Sequence, residues 1–185
     1  MTHPDIFTLQ PNEHEARTAA EALFQRVRAQ LAAHVPAGTE ILHIGATAIP
    51  GCLTKGDLDI AVRVDDKNFA DVEAMLAGRY LQNSGSIRTD DFSAFEDDST
   101  IPHLGIQLVK KGGEYDFFHT FTAALRADPK LVRRYNALKA AHDGKPMDAY
   151  RAAKAAFVRK VLEVHGRNED ETRAGRVDPR ADFAP

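Results

Sequence analysis

Two aspartates, Asp57 and Asp59, have the residue type and the spacing that metal chemistry requires. They begin a segment, residues 57–64, in which polar and apolar residues alternate as they do in a β-strand. Side chains at positions i and i+2 of a strand point to the same face, so the two carboxylates project together. Like charges this close repel each other unless a cation lies between them, and Mg²⁺ prefers oxygen ligands. The spacing therefore predicts that Asp57 and Asp59 bind Mg²⁺, or Mn²⁺ in its place.

A turn rich in glycine, residues 45–51, precedes the two aspartates. Such a turn can bring backbone N–H groups up to a phosphate, whose oxygens are also common ligands of Mg²⁺. The turn and the acid pair together predict a site for a metal ion and a phosphate group. Simpler interpretations stay open, because Gly45, Pro50 and Gly51 are ordinary turn formers. Paired aspartates also occur on the solvated face of an ordinary strand.

The composition restricts the class of protein. A length of 185 residues favours one domain, and 43% hydrophobic residues is ordinary for a globular chain. The net charge of −3 and the pI of about 6.2 give no support to a general nucleic-acid or membrane partner. The single cysteine, Cys52, excludes an intrachain disulfide and a cysteine-based zinc cluster. The N-terminus lacks signal-peptide features and no apolar run is long enough to span a membrane, so we expect a cytoplasmic protein.

Periodicity predicts the elements that position these residues. Asn12 and Glu15 form a capping box at the start of a helix over residues 12–35. Asp128 and Pro129 are a strong helix start in the last third of the chain. The other predicted elements are strands at 40–44 and 57–64, a helix ending near 77, strand-like runs at 80–83, 92–96 and 103–109, and helices at 114–127 and 148–166.

This order of elements predicts an α/β or α+β domain over residues 1–166. We expect a small mixed β-sheet flanked by helices, with a C-terminal helical cap. Gly166 is expected to end the last helix. Residues 167–185 are charged and poor in large apolar residues, which predicts a disordered polar tail.

The segment His43–Gly51, with the sequence His-Ile-Gly-Ala-Thr-Ala-Ile-Pro-Gly, resembles the His-Val-Gly-Ser-Thr-Ala-Val-Pro-Gly signature of the GrpB family. That family is a branch of the nucleotidyltransferase superfamily of DNA polymerase beta and kanamycin nucleotidyltransferase. The resemblance extends over most of residues 13–163. It continues at Lys55 and at ordered positions near the C-terminus, namely Asp128-Pro129, Tyr135, Leu138-Lys139, Tyr150, Lys154 and Phe157.

The resemblance implies a nucleotidyltransferase-like core and a site for a nucleoside triphosphate. In the superfamily the paired acids bind Mg²⁺ ions that bridge the triphosphate and activate an incoming hydroxyl. Carried over, Asp57 and Asp59 are catalytic metal ligands. The substrate-binding residues implied are Gly45, Ala46 and Thr47 in the turn, Lys55 and Lys154 as phosphate partners, and Gln107 facing the acid pair. Lys139 and Lys154 are also typical of exposed helix positions.

Two departures from the superfamily pattern concern catalysis. Ala46 stands where the motif has a serine, so a hydroxyl donor to phosphate is lost unless Thr47 replaces it. The positions expected to face the acid pair from a later strand, Gly105 and Gln107, are not acids. Glu96 is the best substitute for the third carboxylate, and His103 is a candidate general base or ligand.

The sequence thus predicts a Mg²⁺-dependent nucleotidyltransferase that moves a nucleotidyl group from a nucleoside triphosphate to an unidentified acceptor. The alternative is a noncatalytic module that keeps the nucleotide- or phosphate-binding pocket. A role near coenzyme A metabolism is a further alternative, since some GrpB-like domains are joined to dephospho-CoA kinase.

Overall fold

A five-stranded mixed sheet carries the acid pair within residues 5–170, the part of the chain that the computed structural model describes. The strands are β1 (Glu40–Ile44), β2 (Leu58–Val64), β3 (Leu81–Gln82), β4 (Phe92–Asp97) and β5 (Leu104–Lys110). Their order across the sheet is β1-β2-β5-β4-β3. The central pair, β2 and β5, is parallel, and the other neighbouring strands are antiparallel. Asp59 therefore lies on a central strand, next to the start of β5.

Two N-terminal helices cover one face of the sheet. They are α1 (Glu13–Ala32) and α2 (Phe69–Ala77), the latter preceded by a short 3-10 turn at Asp66–Asn68. Alternation along β2 turns its leucine, isoleucine and valines toward these helices, and each such buried side chain contributes about 1.5–3 kcal/mol. The polar positions of β2 consequently point to the opposite face. The buried core on the helical side includes Leu23, Val27, Leu31, Leu58, Ile60, Val62, Phe69, Val72, Leu76, Leu104, Ile106 and Leu108.

Three C-terminal helices pack beside the 45–51 turn and build the predicted helical cap. They are α3 (Phe118–Ala127), α4 (Pro129–His142) and α5 (Met147–Asp170). Ile49 and Cys52, both fully buried, join the turn to the apolar interior of the cap. The turn is thereby fixed between the sheet and the cap. The apolar interior of the cap comprises Ile49, Cys52, Phe121, Ala124, Leu125, Leu131, Val132, Tyr135 and Val161.

The structure confirms the predicted fold class and differs from the predicted elements at three helix ends. The first helix ends at Ala32 rather than near residue 35, since residues 33–35 form a turn and a bend before Pro36. The third helix begins at Phe118 rather than near Glu114, because residues 114–117 form turns after Gly113. The last helix continues through Gly166 to Asp170, so the expectation that Gly166 ends it was wrong. A glycine inside a helix costs only about 1 kcal/mol, and the backbone hydrogen bonds continue across it. Residues 167–170 of the expected tail are thus helical, and 171–185 lie outside the described residues.

No helix in residues 5–170 combines the length and the apolar character needed to cross a membrane.

The junction between α3 and α4 depends on Asp128. Its carboxylate accepts a hydrogen bond from the Lys130 N–H at 2.8 Å and so caps α4. We expect Asp128→Ala to lower the free energy of unfolding by about 1 kcal/mol, because a free N–H remains at the helix start. Urea denaturation measures this change. The matched control is Asp90→Ala, an exposed aspartate outside the helices, and equal losses in both variants would contradict the capping role.

Candidate functional site

A cavity of about 370 Å³ opens where β1 ends and β2 begins. We call it the front cavity. Its walls come from the 45–51 turn, the acid pair, β5 and the three helices of the cap. The residues that line it are Phe7, Ile44, Gly45, Ala46, Thr54, Lys55, Asp57, Asp59, Asn83, Gly85, Ser86, Gln107, Phe117, Phe118, Phe121, Thr122, Tyr135, Lys139, Met147, Tyr150, Arg151, Lys154 and Val158.

Two glycines leave the space that the Asp59 carboxylate occupies. A Cβ atom added to Gly45 would lie 2.6 Å from Asp59 Oδ2, and one added to Gly105 would lie 3.1 Å from Oδ1. Gly45 also has φ of 73°, a backbone conformation that side-chain-bearing residues rarely adopt. Gly105 is the β5 residue directly opposite Asp59 in the sheet. The absence of an acid at position 105 therefore has a steric reason, since Asp59 itself fills that space.

The electrostatic environment of Asp59 disfavours an isolated negative charge. Burial is the main cause that raises the pKa of the Asp59 carboxyl, and neighbouring Asp57 raises it further. Lys154, Lys55 and His103 act in the opposite direction. The Lys55 Nζ atom also lies 3.1 Å from Asp57 Oδ2. A cation bound between the two carboxylates would relieve both the burial cost and the repulsion.

The 45–51 turn places its residues on two sides. Gly45 and Ala46 line the front cavity, whereas Thr47 is buried and does not line it. The Thr47 hydroxyl donates a hydrogen bond to the backbone oxygen of Asp57 at 2.9 Å and lies 3.0 Å from His43 Nε2. His43 Nδ1 lies in turn 2.9 Å from a carboxylate oxygen of Glu21. The hydroxyl that was expected to replace the motif serine at a phosphate thus holds the turn against β2 instead.

Asn136 of α4 fixes the far end of the same turn. Its side-chain amide donates to the Gly51 oxygen at 2.8 Å and accepts from the Leu53 N–H at 2.9 Å. Both partners are backbone groups, so this clamp holds the course of the chain that leads to Lys55 and the acid pair.

Lys139 is buried in the wall of the front cavity, which corrects the expectation of an exposed helix position. Its ammonium donates to the sulfur of Cys52 at 3.3 Å and to the backbone oxygen of Leu53, and it lies 4.2 Å from the centre of the Tyr135 ring. Burial is the main cause that lowers the pKa of Lys139 to about 8. Lys154 is exposed, as expected, and lies in the wall of the cavity. The two lysines add positive charge to the cavity that the acid pair also lines.

Gln107 lies where it was expected, in the wall of the front cavity on the β5 side. Its position in the sheet, opposite Ala61, gives it the same face as Asp59. The Gln107 Oε1 atom is buried and has no hydrogen-bond partner among the described residues. An N–H or O–H group of a ligand in the cavity would satisfy it.

Glu96 and His103 are not part of the cavity wall. Glu96 shares the cross-strand row of Asp59 and Gly105, but it lies two strands away, roughly 10 Å in backbone distance. His103 pairs with Asp98, whose carboxylate oxygen lies 2.8 Å from His103 Nδ1. Within residues 5–170, no three side chains of histidine, cysteine, aspartate or glutamate form a group that could hold a metal ion. The structure brings together the acid pair without a third acid, and the catalytic roles of Glu96 and His103 stay predictions.

The residues present nonetheless fit a Mg²⁺ ion that would be held partly by the protein and partly by substrate phosphates. Mg²⁺ is commonly held by one or two carboxylates, with waters and substrate phosphates completing an octahedral shell. Asp57 and Asp59 supply the two carboxylates in a cavity with room for further oxygen ligands. Asp59 in particular lacks a cation within ion-pair distance among the described residues, although burial disfavours its charge.

An aromatic wall of the front cavity was not predicted from the sequence. Tyr150 stacks on Phe7 with ring centres 3.8 Å apart, and its hydroxyl lies 3.2 Å from that of Tyr135. Phe117 and Phe118 stack on each other at 4.5 Å. Tyr135, Lys139 and Tyr150 were part of the C-terminal sequence pattern, so a signal for them existed. No such signal marked Phe117 and Phe118, because adjacent phenylalanines are equally typical of a hydrophobic core.

The fold and site together define a mixed α/β domain in which Asp59 of a central strand, Asp57 directly before that strand and a glycine turn line one cavity. The profile of the GrpB protein family matches residues 12–164. A UPF0157 protein of Vibrio cholerae is 35% identical over 149 residues, which are 80% of this chain and 78% of that protein. The chain belongs to the GrpB family.

A solved structure of another GrpB protein shares this fold. The crystal structure of GrpB from Enterococcus faecalis has a TM-score of 0.64 at 20% identity, over 84% of this chain and 94% of that chain. The Cid1 poly(U) polymerase with MgGTP bound has a TM-score of 0.49 at 14% identity, over 70% of this chain and 42% of that chain. The first similarity confirms the mixed α/β fold, and the second is too low to support an argument about activity.

The close approach of Gly45 to Asp59 can be tested with a matched pair of variants. We expect Gly45→Ala to lower the free energy of unfolding by more than Gly112→Ala does. Both glycines have φ of 73°, so alanine carries backbone strain of about 1–3 kcal/mol at each, but only position 45, with ψ of −170°, combines that strain with a clash with a carboxylate. Thermal denaturation of both proteins measures the difference. Equal destabilisation would show that the clash contributes nothing.

The burial of Lys139 predicts a pH dependence of stability. Its pKa is about 8 in the folded protein and near 10.5 when unfolded, so between these values the unfolded state binds more protons and stability rises with pH. Relative to Lys139→Met, the wild type should gain up to about 3 kcal/mol between pH 7.5 and about 10.5. Chemical denaturation at several pH values measures this gain. Relative to Lys130→Met, at an exposed position of the same helix, the wild type should show no such gain. A constant difference for Lys139→Met would contradict the prediction.

Proposed function

We propose that this protein transfers a nucleotidyl group from a nucleoside triphosphate to an acceptor hydroxyl in a Mg²⁺-dependent reaction. The observation that carries the proposal is the position of Asp57 and Asp59, which line one cavity with the Gly45 backbone pressed against the Asp59 carboxylate. Membership of the GrpB family agrees with it, because the family signature is the turn that forms this wall.

The side chains of the front cavity have defined parts in such a reaction. Asp57 and Asp59 would hold Mg²⁺, which supplies charge neutralisation for the triphosphate and for the leaving pyrophosphate. Lys55 and Lys154 would neutralise phosphate oxygens as point charges. Lys139 lies deeper in the same wall, where its ammonium is held by Leu53 and Cys52 and adds positive potential.

In the proposed reaction, an oxygen of the acceptor forms a bond to the α-phosphorus. The bond between that phosphorus and the bridging oxygen of the β-phosphate breaks, so pyrophosphate leaves with the bonding electron pair, and the hydroxyl proton is lost to solvent. The aromatic wall formed by Phe117, Phe118 and Tyr150 gives flat apolar surfaces that suit the base of a nucleotide.

A noncatalytic nucleotide- or phosphate-binding module is the second candidate. Two observations favour it: Ala46 lacks the motif hydroxyl, and the place of a third acid opposite Asp59 is taken by Gly105. The front cavity and its charges serve binding equally well. The two candidates therefore share a ligand and differ in turnover.

Ligand binding to the acid pair is testable by thermal shift. We expect nucleoside triphosphates with Mg²⁺ to raise the melting temperature of the wild type, by the equivalent of about 2.7 kcal/mol when the free ligand is at 100 times its Kd. Asp57→Asn and Asp59→Asn should both lose the metal-dependent part. Asp71→Asn, at an exposed position of α2, is the matched control and should respond like the wild type. Unchanged melting with every nucleotide at millimolar concentration would overturn the proposal.

The same variants distinguish metal binding from a change in the stability of the fold itself. Since burial disfavours the charged form of Asp59, Asp59→Asn should melt higher than the wild type when no metal is present. A positive binding result is then followed by an assay of pyrophosphate release with candidate acceptors. Release that depends on both aspartates supports transfer, and binding without release supports the noncatalytic module.

A further inference from the structure

A second concave surface lies on the other side of the 45–51 turn. This groove, of about 850 Å³, is formed by α1, the turn and α3, and it shares no lining residue with the front cavity. We call it the rear groove. Its chemistry is set by Arg17 and Glu21 of α1, His43 of β1 and Arg126 of α3. Nothing in the proposed function uses it.

The one carboxylate of the rear groove is already engaged. One oxygen of Glu21 accepts from Gln25 Nε2 at 2.6 Å, and the other lies 2.9 Å from His43 Nδ1. These hydrogen bonds are the main causes that lower the pKa of Glu21. Neither Arg17 nor Arg126 lies within ion-pair distance of a carboxylate in the described part of the chain. The groove therefore holds two guanidinium groups that form no ion pair, and the single carboxylate of Glu21, on which Arg126 acts only through space, balances at most one of their charges.

The two arginines differ in their hydrogen bonds. The Nε atom of Arg126 donates to the backbone oxygen of Ala48 at 2.9 Å, which anchors its guanidinium against the turn. The Nε atom of Arg17 is buried and has no hydrogen-bond partner among the described residues. A buried donor without a partner costs about 1–3 kcal/mol, and an unseen ion or water is the usual explanation.

We propose that the rear groove binds the phosphate group of a small phosphorylated molecule through Arg17 and Arg126. Guanidinium groups present parallel N–H donors that match oxyanions, and an oxyanion supplies the counter-charge that neither arginine has in an ion pair. The groove is much larger than one phosphate group needs, so the remainder of the ligand has room beside it. The site is independent of the front cavity and stands whether or not nucleotidyl transfer occurs.

Titration with inorganic phosphate, followed by amide shifts in ¹H–¹⁵N NMR spectra, tests the proposal. We expect saturable shifts at the backbone amides of Arg17 and Ala48 in the wild type. Arg17→Gln and Arg126→Gln should each weaken this binding at least fivefold. Arg28→Gln is the matched control, since it removes the same charge from an exposed position of α1 outside the groove. Lys154→Gln controls for phosphate that binds in the front cavity.

The outcomes are distinguishable. Binding that is lost in both arginine variants and kept in Arg28→Gln and Lys154→Gln supports the site. Equal weakening of phosphate binding in Arg28→Gln would show that only the net charge of the protein matters. Loss of binding in Lys154→Gln alone would assign the phosphate to the front cavity. Either result overturns the proposal. Arg17→Gln leaves the Arg126–Ala48 hydrogen bond intact, which keeps the test valid if Arg126→Gln disturbs the turn. Glycerol 3-phosphate is titrated in parallel as a phosphate ester. We expect it to bind more tightly than inorganic phosphate, and equal affinities would identify free phosphate as the ligand.

Discussion

The close approach of two glycines to Asp59 is the constraint on which the site depends. A Cβ atom added to Gly45 would lie 2.6 Å from one carboxylate oxygen of Asp59, and one added to Gly105 would lie 3.1 Å from the other. The turn, β2 and β5 must therefore approach one another closely at this one place. The Thr47 hydroxyl, the Asn136 amide and buried Ile49 all hold the turn at that place. The glycine signature thus acts first through packing, before any contact with a ligand.

Charge balance explains why the site is suited to an anionic ligand bound together with a cation. The Asp59 carboxyl has a raised pKa because of burial and Asp57, while Lys139 has a lowered pKa because of burial and the nearby Lys154. A cavity lined by both acids and lysines suits a metal ion beside the acids together with phosphate beside the lysines. Because a third acid is missing, substrate oxygens would have to complete the shell of the proposed Mg²⁺ ion.

Much of the fold could be predicted from local patterns. The predicted bounds of β1 match the structure, alternation located β2 to within one residue, and the capping residues Asn12 and Asp128 begin their helices as expected. The prediction was wrong where local signals compete. Gly166 resembles a helix end but lies inside α5, because continued hydrogen bonding outweighs the small cost of one glycine. The start of α3 moved to Phe118, where the tight turn after Gly113 ends.

The sequence by itself determined the acid pair, the turn before it and the family signature, because strand alternation and turn chemistry act over a few residues. Only the tertiary structure decided which way Thr47 points, that Lys139 is buried against Cys52, 87 residues away in the chain, and that Arg17 and Arg126 share one groove. Contacts between residues so far apart depend on how the helical cap packs on the sheet. No local spacing contains that information, since the packing is set by the whole apolar core at once.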